Sequence, residues 1–299
     1  MKIGMNLQLW TARPTAKGHA HLLEQIKTWG FDGAEFPIAA MSAADVRELA
    51  KLADDLGLGR TTTLALAARH ADPTSADLSL RRAALDAMKR GIDTTRSFGS
   101  ELMAGPLFQG LGRFTGVPPT SVEWNRSVEV IREAAEYAAS VNVRLALEPL
   151  NRFEMYMVNT IADGARFCRE VGLPNVGLLA DTHHSNIEEE HPAEVWAKQA
   201  QHIFHVHISE NHRGIPGSGH AIPAEIFTAL RRAGYDGWLT IEAFGPKVPE
   251  LTARLHVWRP FFEREEEVAE QGLNYIRRQW AEAAGIEPKT CVKDRTNGR

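Results

Sequence analysis

Short apolar runs alternate with longer amphipathic stretches along almost the whole chain. The short runs, at residues 2–9, 31–36, 60–67, 101–107, 143–148, 175–181, 202–208 and 238–242, have strand length and β-branched or aliphatic content. Between them lie stretches with apolar residues at helical spacing, at 19–29, 42–57, 79–97, 120–140, 160–171, 192–200, 223–233 and 263–284. Capping residues punctuate the helices. Ser42 and Thr160 stand at N-cap positions with Asp45 and Asp163 in the first turn, and Gly30, Gly57 and Gly234 stand where helices must stop. Eight strand–helix units in strict alternation predict a parallel sheet. Eight of them point to a closed barrel, so the expected fold class is α/β, a single (β/α)8 TIM barrel over residues 1–285. Residues 286–299 read as a polar C-terminal tail.

Composition narrows the partners. At 43% hydrophobic and 24% charged, the chain has the balance of a globular protein with a full core. A formal net charge of −4, with no basic block, argues against nucleic acid. No stretch of about 18 apolar residues is present, so no membrane span is expected. Two cysteines, Cys168 and Cys291, do not make a disulfide framework, which fits a reducing compartment. With no signal-peptide pattern at the N-terminus, a cytoplasmic protein is expected. No glycine-rich nucleotide loop follows a strand.

Chemistry concentrates where strands end. The run 143–154, V-R-L-A-L-E-P-L-N-R-F-E, breaks from apolar residues onto Glu148 and Pro149. Three later runs end in the same way, on Asp181, His207 and Glu242. In a (β/α)8 barrel, polar residues at the C-terminal ends of strands form the site, while the interior below is packed. These four come from consecutive units, so their side chains can meet. Three carboxylates and an imidazole are a hard donor set suited to Mn2+, Mg2+ or Co2+. Taken singly, each has a plain reading: a solvated loop Glu, a helix-capping Asp, a satisfied histidine in His205-Val206-His207. Four in sequence favour a metal site. Glu154, His184 and Arg213 follow just beyond these ends, and the mixture of acceptor, imidazole and guanidinium suits a polyol better than an apolar ligand. No phosphate-binding cluster is evident, which favours an unphosphorylated sugar.

At these residues the chain resembles the ketose 3-epimerases, the D-tagatose/D-psicose (D-allulose) 3-epimerases of the xylose isomerase-like TIM barrels. The resemblance is carried by L-E-P-L-N-R-F-E at 147–154, A-D-T-H-H-S-N-I-E-E at 180–189 and H-V-H-I-S-E-N-H-R at 205–213. P-G-S-G at 216–219, G-Y-D-G-W-L-T-I-E at 234–242 and V-W-R at 257–259 extend it. It implies Glu148, Asp181, His207 and Glu242 as metal ligands, with Glu148 and Glu242 doubling as the acid–base pair. It implies Glu154, His184 and Arg213 as sugar-binding residues, Mn2+ as the metal with Co2+ or Mg2+ possible substitutes, and a homodimer or homotetramer. Related barrels use the same enolisation to eliminate from keto-inositols or 3-keto C-glycosides, or to interconvert aldoses and ketoses, and these stay open as alternative outcomes. A DNA-repair endonuclease is disfavoured by the acidic balance and the single ligand set; a sugar-binding barrel without catalysis stays open too. The first half departs from the family, at Met5–Leu9, at Ala68-Arg69-His70 and at 108–117. There Asn6, His70 and Phe108 are the expected contacts to the sugar.

Overall fold

The computed structural model describes residues 1–285, and the expected tail with Cys291 lies outside them. Eight parallel strands close into one barrel in chain order. They are β1 (Lys2–Asn6), β2 (Gly33–Pro37), β3 (Gly59–Thr63), β4 (Leu102–Gly105), β5 (Arg144–Leu147), β6 (Val176–Asp181), β7 (Ile203–Ile208) and β8 (Trp238–Ile241). The ring closes where Lys2 of β1 pairs with Trp238 of β8. Around it run α1 (Ala16–Trp29), α2 (Ala43–Leu56), α3 (Leu78–Ser97), α4 (Ser121–Ser140), α5 (Ile161–Val171), α6 (Thr182–Glu188), α7 (Pro192–Gln199), α8 (Ala224–Arg232), α9 (Pro249–Leu255) and α10 (Glu265–Glu282).

The helices form where their caps were read. Ser42 Oγ accepts from Asp45 N–H at 3.1 Å, and Thr160 Oγ1 from Asp163 N–H at 3.1 Å. Thr120 and Glu123 cap each other reciprocally at the start of α4. Gly30 and Gly57 close α1 and α2 at positive φ.

The strand period of two divides each strand between two environments. Ile3 and Met5, Ala34 and Phe36, Leu145 and Leu147, and Leu239 and Ile241 join the large core between barrel and helices. The inward positions hold a smaller cluster of Leu102, Ala104, Ala146 and Leu179 with Phe204. Below, the Trp238 indole lies across the barrel floor. A Cβ on Gly59 would sit 2.6 Å from that ring, so β3 needs glycine there. Above, the inward positions turn polar, with Asn6, Glu35, Thr61, His205, His207 and Thr240 all buried.

Two helices were not expected. α6 starts directly after β6, capped by Asp181 itself, and α9 starts at Pro249, a residue well suited to a first helical turn. Strand one was expected to reach residue 9, but β1 ends at Asn6 and a 3-10 turn follows over Leu7–Leu9. Asn6 Oδ1 accepts from Gln8 N–H at 2.8 Å, and this local bond competes with strand geometry. The expected strand 60–67 likewise ends at Thr63. Its continuation pairs instead with the loop after β4, through Ala67 and Leu111.

Candidate metal centre and sugar pocket

The four strand-end residues come together. One donor atom each of Glu148, Asp181, His207 and Glu242 lies within 4.8 Å of the others, and all four residues are buried. His207 Nδ1 faces Glu242 Oε1 at 3.3 Å, Glu148 Oε1 at 3.8 Å and Asp181 Oδ2 at 3.8 Å. Asp181 uses its two oxygens differently. Oδ1 accepts from His183 N–H at 2.6 Å and caps α6, while Oδ2 is turned to the cluster. Capping through Oδ1 thus leaves Oδ2 free to face the cluster.

These residues fit a divalent cation. His207 Nδ1 is buried and has no hydrogen-bond partner. Its other nitrogen, Nε2, lies 2.7 Å from Glu35 Oε1. A carboxylate only accepts, so the neutral ring keeps its proton on Nε2 and presents a lone pair at Nδ1. That lone pair meets three carboxylates, a donor set that hard divalent ions prefer.

The crowding of like charge also appears in the proton affinities. Burial, reinforced by Glu242 and Asp181 and opposed by His207, pushes the Glu148 carboxyl well above its usual range. Burial would raise Asp181 too, but His184, Arg213 and His207 outweigh it and hold that carboxyl well below. Burial opposes a charge on His207, yet Glu35, Glu242 and Asp181 together lift its pKa well above normal, so a cation bound at Nδ1 would take the place of a proton there.

A second polar ring borders the cluster. Arg213 Nη1 donates to Glu242 Oε2 at 2.8 Å, Ser209 Oγ at 2.9 Å and Asp181 Oδ2 at 3.3 Å. Its guanidinium stacks over Phe244 with 5.3 Å to the ring centre, and its backbone takes the left-handed φ of 62°. Asn151 N–H donates to His184 Nδ1 at 3.0 Å, so the neutral His184 ring carries its proton on Nε2. Burial keeps it neutral, lowering its pKa well below normal against the pull of Asp181. That Nε2–H stands 3.1 Å from Arg213 Nη2, another donor, and 3.8 Å from Glu148 Oε1. The two donors can therefore share one oxygen acceptor. Glu154, held by Asn151 Nδ2 at 3.0 Å, adds an acceptor 3.7 Å from Arg213 Nη2.

Both sets open into a cavity of about 370 Å³, with Glu148, Glu154, His184, His207, Arg213 and Glu242 on its wall. Gln8, Thr63, Phe114, Leu251, Arg254 and His256 also line it. The three contacts expected from the first half of the chain are not on this wall. Asn6 is fully buried beneath it, donating to Glu35 Oε1 at 3.0 Å and Glu242 Oε1 at 3.4 Å. His70 sits in an exposed turn, its ring accepting from Arg69 Nε at 2.9 Å. Phe108 is fully buried against Phe167 of α5, ring centres 4.9 Å apart. The cause is the course of the chain. The turn after β1 carries Gln8 to the cavity, and the pairing of Ala67 with Leu111 draws 68–70 away from it. Sequence reading also passed over Glu35. Its signal was there: in G-A-E-F-P, alternation places Glu35 inward between Gly33 and Pro37.

A closed parallel barrel with carboxylates and an imidazole at consecutive strand ends defines an enzyme of the xylose isomerase-like TIM barrel class, and the family model of that description matches residues 23–279. Within it the chain belongs to the ketose 3-epimerases, which are isomerases. It is 34% identical over 260 residues to an L-ribulose 3-epimerase of Mesorhizobium japonicum, covering 86% of this chain and 87% of that one. A solved L-ribulose 3-epimerase structure superposes with a TM-score of 0.89 at 32% identity, over 95% of this chain and 96% of the other. A D-allulose 3-epimerase from Methylomonas sp., solved in complex with D-allulose, gives 0.86 at 28% identity over 93% and 97%. No helix among the described residues is long and apolar enough to cross a membrane.

Proposed function

We propose that this protein inverts C3 of a free ketose, with Glu148 and Glu242 as the acid–base pair and a divalent cation, Mn2+ first among candidates, held by Glu148, Asp181, His207 and Glu242. The observation that carries this reading is the placement of two carboxylates, from the ends of β5 and β8, within 4.8 Å of each other's donor atoms beside His207 Nδ1. A cation in such a site supplies Lewis-acid polarisation of a carbonyl, which makes the neighbouring C–H acidic. The remaining work falls to the side chains. Inversion needs a proton taken from one face of C3 and returned to the other, so it needs two carboxyls and not one. Arg213 fixes Glu242 through Oε2 and so sets the face from which that carboxyl works. His184 Nε2–H and Glu154 offer a donor and an acceptor to hydroxyls at the other end of the reacting carbons. Arg213 has three carboxylate neighbours, Asp181, Glu242 and Glu154, which offset its charge and support an unphosphorylated substrate.

The test is turnover in D2O with Mn2+ added, on L-ribulose, D-allulose, D-fructose and D-tagatose. NMR should show deuterium entering at C3 together with the C3 epimer. Glu148→Gln and Glu242→Gln should each lower the rate by about 10²–10⁴-fold, the usual worth of a positioned acid or base, while sugar binding persists. Deuterium at C2 of an aldose product, or at C1 of the recovered ketose, would assign isomerisation instead. Loss of water or of an aglycone from a keto-sugar would assign elimination. Failure to turn over any ketose would reject the proposal.

A further inference from the structure

All four proposed ligands come from one half of the barrel, β5 to β8. Among the strands of the other half, β2 contributes a buried carboxylate, Glu35, completely enclosed and absent from the cavity wall. Four polar groups converge on it. Oε1 lies 2.7 Å from His207 Nε2 and accepts from Asn6 Nδ2 at 3.0 Å. Oε2 accepts from Thr61 Oγ1 at 2.9 Å and lies 2.7 Å from His205 Nε2. Asn6 continues on to Glu242 Oε1 at 3.4 Å.

We infer that Glu35 is a positioning residue for the metal centre: held by β1, β3 and β7, it fixes the His207 ring so that Nδ1 faces Glu148, Asp181 and Glu242. The inference rests on the metal reading proposed above and adds a residue to it. An imidazole without such a partner can flip or change tautomer and present either nitrogen. A carboxylate on Nε2 removes that choice and makes Nδ1 a better donor. With donors on both oxygens and no exposure, Glu35 cannot pivot away. Its partners also argue against simple charge balance in the core. Arg213, the cation in this region, pairs with Asp181, Glu242 and Glu154 and not with Glu35. Through Asn6 the same residue also reaches Glu242, so one carboxylate braces two ligands from below.

Glutamine at this position keeps the shape and spoils the pattern. It offers one oxygen and one amide NH2 where three donors and the His205 ring converge, so at least one partner must turn. The experiment is calorimetric titration of Mn2+ into metal-free wild type and E35Q, beside the melting temperature of each metal-free protein. Mn2+ affinity should fall by about 10–100-fold in E35Q, the usual effect of removing such a partner of a ligating histidine. E35D, which keeps the charge but withdraws it from His207, should fall in the same direction and decides the matter if E35Q does not fold. A shifted melting temperature with unchanged Mn2+ affinity in a folded variant would mean a structural role only and overturn the inference. Wild-type protein that binds no Mn2+ would remove both this inference and the metal reading, so the two failures are separable.

Discussion

At the scale of single residues, Arg213 ties the two polar rings together. One nitrogen serves Glu242, Ser209 and Asp181, and the other points at His184 and Glu154. Only a planar fork with several donors can do this; a lysine has one point charge on a flexible stem. It also holds an unfavourable φ of 62°, a cost that its contacts must outweigh. Arg213→Lys should therefore lower kcat/KM by about 10²-fold, equal to nearly 3 kcal/mol, with circular dichroism unchanged; steady-state kinetics on whichever ketose the wild type accepts will measure it. What sequence could reveal at this scale follows a rule. Glu148, Asp181, His207 and Glu242 were legible because each ends an apolar run, where a charged group stands out. Glu35 was not, because it lies inside one, and its cost is cancelled by partners from β1, β3 and β7 that no local pattern shows. Burial would raise its pKa, yet His207 and His205 outweigh burial and keep it ionised.

At the scale of elements, the loop after β4 builds one cavity wall, and it is clamped rather than loose. Gln109 Oε1 accepts from Met157 N–H at 3.0 Å, and Gly110 N–H donates to Asp72 Oδ1 at 3.1 Å. Arg113 Nη2 and Tyr156 Oη both donate to Glu123 Oε1, at 2.9 and 2.7 Å. This fastens the Phe114 loop to the start of α4 and to the segment after Glu154. Burial would raise the Glu123 pKa, but Tyr156, the Thr120 cap and Arg113 prevail and lower it to about 2 from 4.5. A depressed carboxylate pKa contributes stability above 4.5, and that contribution fades as pH falls toward 2. Glu123→Gln keeps a side chain that can complete the cap and loses the charge. Urea unfolding should show it less stable by about 1.5–3 kcal/mol at pH 7, with the gap to wild type closing between pH 5 and pH 2. A gap that stays constant with pH would refute the clamp. Helix starts in this region were legible from Thr160 and from the pair Thr120-Ser121, of which Thr120 is the cap. α9 was hidden because it has no side-chain N-cap, and α6 because its cap, Asp181, also read as a site residue.

At the scale of the whole molecule, the order β1 to β8 was legible because eight strand–helix units leave few ways to bury both faces of a parallel sheet. The interior was less so, since layering depends on which residues meet across the barrel. Its floor shows the point. The Trp238 indole fills the space over β1–β3, and it can do so only because those strands carry glycine: a Cβ on Gly59 would lie 2.6 Å from one ring carbon and 2.7 Å from the next, with Asp32 O at 3.4 Å. The clash is with the ring and not with backbone, so it should be relieved by shrinking the ring. Gly59→Ala alone should therefore destabilise by about 1–3 kcal/mol, as overpacked cores do. Trp238→Leu alone should also destabilise, by leaving a cavity. The two together should cost less than their sum, because the methyl occupies part of the volume the indole vacates; a double-mutant cycle by urea unfolding reads that coupling directly. Strict additivity would show that the floor can yield without the indole moving. Because this layer lies at the opposite end of the strands from Glu148 and Glu242, the fully folded double variant should retain its activity on ketoses, separating what closes the barrel from what the barrel holds.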